Sequence, residues 1–156
     1  MQTAIIVRSA TLEDLPILLH HRREMFRDMG YRDQSDLDSL EALAERYFRQ
    51  ALQSETYHGW LALDPEGTII GGGGVADVIL PAGPHTPTLT RPEILNVYVE
   101  PEYRRRGIAR QLMGVIIDWC RARGDLSIFL HASDKGRYLY SSMGFEPSNE
   151  MMLRLK

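Results

Sequence analysis

Residues 93–109 read EILNVYVEPEYRRRGIA, and the fold turns on this stretch. Its first part, 93–100, is short and rich in β-branched and aromatic residues, which predicts a strand over 93–99. Its last part, Arg104-Arg105-Arg106-Gly107-Ile108-Ala109, is a tight basic turn. Behind the turn, Ile108, Leu112, Val115, Ile116 and Trp119 recur at helical spacing, which predicts a helix over 108–123 stopped by Gly124. A turn between a strand and a helix aims free backbone N–H groups at one point, with the positive end of the helix behind them. That arrangement suits a phosphate-bearing ligand. Alone, it allows a nucleotide, a coenzyme or RNA.

Upstream, 3–9 predicts a strand. Thr11-Leu12-Glu13-Asp14 is a capping-box-like start for a helix over 12–29, closed by Gly30. Pro16 removes one early hydrogen bond from that helix. A second helix is expected over 36–53, with Leu37, Leu40, Leu43, Ala44, Tyr47, Phe48 and Leu52 as its inner face. The period then changes. Residues 57–63 and 68–80 predict two strands joined by the turn Asp64-Pro65-Glu66-Gly67. Gly71–Gly74 interrupt the second of them and are expected to face a groove. A proline-rich loop is expected over 81–92. Downstream, 126–132 predicts a strand, 134–143 a short helix and 149–155 a last strand. The order βααβββαβαβ predicts an α/β domain over 1–156, a mixed sheet with helices on both faces.

Composition narrows the function. A chain of 156 residues with 44% hydrophobic content can bury a real core. A net charge of −3 and the lack of interleaved aromatics argue against nucleic-acid coating, including an RNA-binding role for Arg104–Arg106. The single cysteine, Cys120, excludes an internal disulfide and a cysteine-rich zinc site. It reads as a small core residue on the long helix. His20 and His21 are adjacent on the first helix and cannot both face one metal, so no metal is expected. No signal-peptide layout and no membrane-spanning run is evident, so a cytoplasmic setting without a membrane partner is expected.

A second motif, Leu139-Tyr140-Ser141-Ser142-Met143-Gly144-Phe145, lies downstream of the turn. With it, the chain resembles the GNAT superfamily of acyl-CoA-dependent N-acyltransferases. Arg104, Gly107 and Ala109 fill the family's Gln/Arg-x-x-Gly-x-Gly/Ala pattern. Leu139, Tyr140, Gly144 and Phe145 fill its Leu-Tyr-x-x-x-Gly-Phe pattern, and the lead-in 99–104 is also typical. The element order agrees along essentially the whole chain. Two places depart: Ser133 stands where the family often has Asn, and Gly136 where it often has Ala.

The resemblance implies acetyl-CoA as co-substrate and direct transfer to a primary amine in a ternary complex. It implies that N–H groups of Arg105, Arg106, Gly107, Ile108, Ala109 and Arg110 cradle the pyrophosphate, with arginine side chains, Arg104 among them, adding charge. The pantetheine arm would pair with Val97, Tyr98 and Val99, and an N–H at Val97 or Tyr98 would polarise the thioester. A bulge there would part this strand from 126–132. Ser133 would hydrogen-bond cofactor or water. Tyr140 would protonate the departing thiolate, and Glu93 would serve as base, with Asp77, Tyr98 and His58 as rivals. Phe26, Met29, Tyr31 and His85 would line the acceptor pocket. A homodimer paired through 149–155 is compatible with the pattern. The reading from another class is a non-catalytic module of the same fold that senses acyl-CoA.

Overall fold

The computed structural model describes residues 3–84 and 86–156. Among the described residues, five strands form one sheet in sequence order: β1 (Ile6–Ser9), β2 (Tyr57–Leu63), β3 (Ile69–Ile79), β4 (Thr90–Val99) and β5 (Phe129–Leu130). Every neighbouring pair is antiparallel except β4 with β5, which is parallel. Between β1 and β2 run α1 (Leu15–Asp28) and α2 (Gln34–Gln53). The long helix α3 (Ile108–Arg123) follows β4, and α4 (Asp134–Ser142) follows β5. The expected α/β architecture, a mostly antiparallel sheet flanked by helices, is therefore present.

Strand alternation assigns the two faces. Leu15 and Leu18 of α1 and Phe48 and Ala51 of α2 pack with Tyr57, Leu61 and Ala76 on one face. Leu112, Met113, Ile116 and Cys120 of α3 pack with Trp60, Val75 and Ile94 on the other. Cys120 is wholly buried there, and burial first, then Asp125, pushes its thiol up to about 12. It is a core residue, inert as a nucleophile.

Several boundaries shift for identifiable reasons. Leu12–Asp14 is a separate 3-10 turn, and Pro16 falls in the first turn of α1, where its missing N–H has no helical partner to lose. The Thr11 N–H donates to Asp14 at 2.8 Å, as the capping-box pattern predicts. Helix α2 begins at Gln34 because the Asp33 carboxylate accepts the Asp36 N–H at 3.0 Å. Strand β4 begins at Thr90, inside the expected loop.

Two expectations fail. The segment 149–155 forms no strand and leaves Met151, Met152, Leu153 and Leu155 exposed. A strand exists only by pairing, and no sheet edge meets this segment. The glycines 71–74 do not face a groove; all four are buried under close neighbours. A Cβ at Gly72 would lie 3.0 Å from Leu61 and 3.1 Å from His21, and one at Gly73 would lie 3.2 Å from Val97 and 3.3 Å from Ile116. The glycines bring α1 and α3 down onto the middle of the sheet.

His21 is one product of that approach. It is wholly buried beside Tyr98, with ring centroids 5.4 Å apart, and neither ring nitrogen has a hydrogen-bond partner among the described residues. Burial first, then the neighbouring His20, lowers its pKa to about 4. The folded protein thus holds His21 neutral while the unfolded chain takes up a proton below pH ~6.5. Stability should fall as pH drops from ~6.5 to ~4 and lose about 3 kcal/mol from this group. Urea unfolding at pH 7 and pH 4.5 checks this, and His21→Leu should flatten that part of the profile.

Candidate active site

Strand β4 does not stay regular. Leu95 is opposite Gly74 and Tyr98 is opposite Gly72, so both Asn96 and Val97 fall against Gly73. This is a one-residue bulge. Asn96 has φ +63, a left-handed backbone that asparagine tolerates better than most residues. Its side-chain amide donates to the Leu18 carbonyl at 3.2 Å, which ties the bulge to α1. Asn96, the one side-chain amide in the run ILNVYV, marks the bulge in the sequence.

The bulge parts the strands. Strand β4 pairs with β5 only at Glu93–Phe129 and Ile94–Leu130, so the backbone of Val97–Val99 has no pairing with β5. Beyond the end of β4 comes the basic turn. Arg105 has φ +62 and Gly107 φ +77, and no side chain among the described residues caps the N-terminus of α3. The first N–H groups of a helix have no intrahelical partners. With the positive helix end behind them, the amides of 105–110 can receive an anionic group.

Arg104 has partners within the protein. Its backbone N–H lies 3.3 Å from the Pro101 carbonyl. Its guanidinium donates to the Val99 carbonyl at 2.8 Å and to Asp28 at 2.7 Å, and it lies over the Tyr98 ring. These groups fasten α1 to the end of β4 and are already engaged within the protein. Arg110 donates to the Ser142 hydroxyl at 2.6 Å, linking α3 to α4.

Helix α4 carries Tyr140. Its ring packs edge-on against Phe145, with centroids 5.9 Å apart, and joins the α3-side core. Its hydroxyl has no hydrogen-bond partner among the described residues, and burial raises its pKa. It is thus protonated at neutral pH and able to donate. Ser133 caps α4 by accepting the Gly136 N–H at 3.2 Å, so its oxygen already serves the helix. A Cβ at Gly136 would lie 2.9 Å from the Tyr140 ring, which gives the departure from Ala a physical reason.

Glu93 precedes the bulge, and its two carboxylate oxygens face Arg91 at 3.4 Å and His131 at 2.9 Å. Its rivals are otherwise occupied. Asp77 accepts two hydrogen bonds from Arg123 at 2.9 and 3.0 Å. Tyr98 packs against His20 and His21, and burial first, then Glu100, pushes its pKa up to about 12. His58 stacks on Trp119 at 4.5 Å, on the α3 side of the sheet.

Of the expected acceptor-pocket residues, Phe26, Met29 and Tyr31 lie together at the C-terminal end of α1. Phe26 lines a cavity of about 10 Å³ between α1 and α2, room for roughly one water. Tyr31 meets Phe26 edge-on but is exposed, as is Met29, and His85 lies outside the described residues. A much larger open cleft of about 1430 Å³ borders β5, with His131, Tyr140 and Phe145 on its body side and Glu150–Leu153 among its lining. His131 was not singled out in the sequence. Among the described residues no group of histidine, cysteine and carboxylate side chains could hold a metal, and no helix is long and apolar enough to cross a membrane.

Comparison with known proteins agrees with this geometry. A GCN5-related N-acetyltransferase from Ralstonia eutropha JMP134 is 31% identical, with a TM-score of 0.89 over 97% of this chain and 99% of that one. A predicted acetyltransferase from Clostridium acetobutylicum, solved with acetyl-CoA, is 26% identical, with a TM-score of 0.85 over 97% of this chain and 96% of that one. Aminoglycoside N-acetyltransferase AAC(6')-Iy, solved with CoA, shares the fold at 17% identity and a TM-score of 0.69, over 100% of this chain and 97% of that one. No curated protein matches the chain. The profile of the acetyltransferase (GNAT) family matches residues 18–145, and the chain belongs to that family.

Proposed function

We propose that this protein transfers an acetyl group from acetyl-CoA to a primary amine of a small molecule or peptide, by direct attack in a ternary complex. The observation that carries the reading is the parting of β4 from β5 beside the uncapped N-terminus of α3. A pantetheine-like arm can lie along the open backbone of Val97–Val99 while the amides of 105–110 take the pyrophosphate. The relative from Clostridium acetobutylicum, similar over nearly the whole chain, was solved with acetyl-CoA and supports this donor.

The chemistry needs a deprotonated amine, a polarised thioester carbonyl and a proton for the leaving thiolate. A backbone N–H at Val97 or Tyr98 would polarise the carbonyl, and the unpartnered Tyr140 hydroxyl would supply the proton. Glu93 stands on the same strand as the proposed pantetheine contacts and serves deprotonation. Acetyl-CoA at a hundred times its dissociation constant should stabilise the protein by about 2.7 kcal/mol. That raises Tm by roughly 5–10 °C. Thermal unfolding with millimolar acetyl-CoA measures this, and an unchanged Tm would sink the proposal. Thiol release with added amines separates a transferase from a sensor.

A further inference from the structure

Glu93 is poorly placed to take a proton itself. One carboxylate oxygen faces Arg91 and the other lies 2.9 Å from Nδ1 of His131. Arg91 is in turn held over the Phe129 ring at 4.3 Å. His131 immediately follows β5, at the point where the strands part after Ile94–Leu130. Its side chain is 72% exposed, against 15% for Glu93. Its ring and Tyr140 line the same cleft.

We propose that His131 is the general base of the transfer and that Glu93 is the carboxylate that orients it. The inference rests on the acetyltransferase reading and names the group that deprotonates the acceptor. A carboxylate accepting from Nδ1–H leaves Nε2 as the free acceptor, since a neutral imidazole carries only one N–H. The residue facing Nε2 is Glu150, at 3.6 Å on the exposed tail, beyond hydrogen-bond distance. An incoming ammonium can displace that neighbour.

The step balances as follows. The ammonium gives one proton to Nε2 of His131. Its nitrogen then attacks the thioester carbon, the C–N bond forms, and the C–S bond breaks. The thiolate takes the Tyr140 proton, and the second nitrogen proton returns to the tyrosinate through solvent. His131 releases its proton to water, one per acetyl group moved.

Two measurements test the assignment. In protein labelled with ¹⁵N-histidine, a long-range ¹H–¹⁵N spectrum at pH 8 should show His131 protonated at Nδ1, and Glu93→Gln should weaken that preference. An Nε2–H tautomer would overturn the proposal. Thiol release from acetyl-CoA with n-butylamine should fall about 10²-fold or more in His131→Gln, the size expected for loss of a general base. The acetyl-CoA thermal shift should persist, and added imidazole should restore part of the rate. A His131→Gln protein with the wild-type rate and pH profile sinks the His131 role alone. A wild-type protein with neither thermal shift nor thiol release sinks the transferase reading and this inference with it.

Discussion

Replacing Tyr140 by phenylalanine is expected to lower turnover about 10²–10⁴-fold, the range for loss of a positioned general acid. The acetyl-CoA thermal shift should change little. The ring packs against Phe145 and the α3-side core, and phenylalanine keeps that packing. Its hydroxyl has no protein partner among the described residues, so its removal orphans no buried group. The variant therefore separates chemistry from folding. Steady-state thiol release, with Tm recorded in parallel, is the measurement. A full rate in Tyr140→Phe would end the acid assignment. Gly136→Ala probes the same residue from outside, because the added methyl would press on the ring at 2.9 Å.

Gly74→Ala should produce the largest loss of stability. Its Cβ would lie 2.3 Å from the Tyr57 hydroxyl and 2.6 Å from the His58 carbonyl. Tyr57 is buried and the carbonyl belongs to the paired strand β2, so neither yields easily. Overpacking of this kind costs about 3 kcal/mol. That lowers Tm by roughly 6–12 °C. Gly114→Ala is the matched control. Gly114 lies within α3 with nothing inside 4 Å of its Cβ position, so alanine there should stabilise by about 1 kcal/mol. Equal Tm values for Gly74→Ala and wild type would refute the packing account of the four glycines.

The parts of this protein that were legible in the sequence are those governed by local pattern. The apolar stripe of α3, the turn at 64–67 and the Gly107 and Gly144 motifs each have a local physical cause, and the structure places each element where the pattern does. The parts that were not legible depend on partners. Residues 126–132 have strand composition, yet pairing with β4 covers only Phe129 and Leu130, and past Leu130 the bulge turns β4 away. Residues 149–155 have alternating character but meet no edge. The glycines 71–74 could be placed in a strand, but not under Tyr57, His21 and Ile116, since those approaches cross more than a dozen residues of sequence. His131 carries no motif, and only the register of β5 brings it beside Glu93.

The extra residue at Asn96 acts as a phase shift within one strand. Before it, Leu95 packs on the α1–α2 side and Ile94 on the α3 side. After it, Tyr98 meets α1 while Val97 and Val99 pack on the α3 side. Odd-numbered residues thus serve opposite layers in the two halves of β4. A deletion of Asn96 would shorten the chain by one residue and leave its hydrophobic content almost unchanged. It would also exchange inside for outside along either half of the strand. Length changes here are therefore far less tolerable than substitutions, and any comparison of this chain with its relatives must count residues across β4 before it compares them.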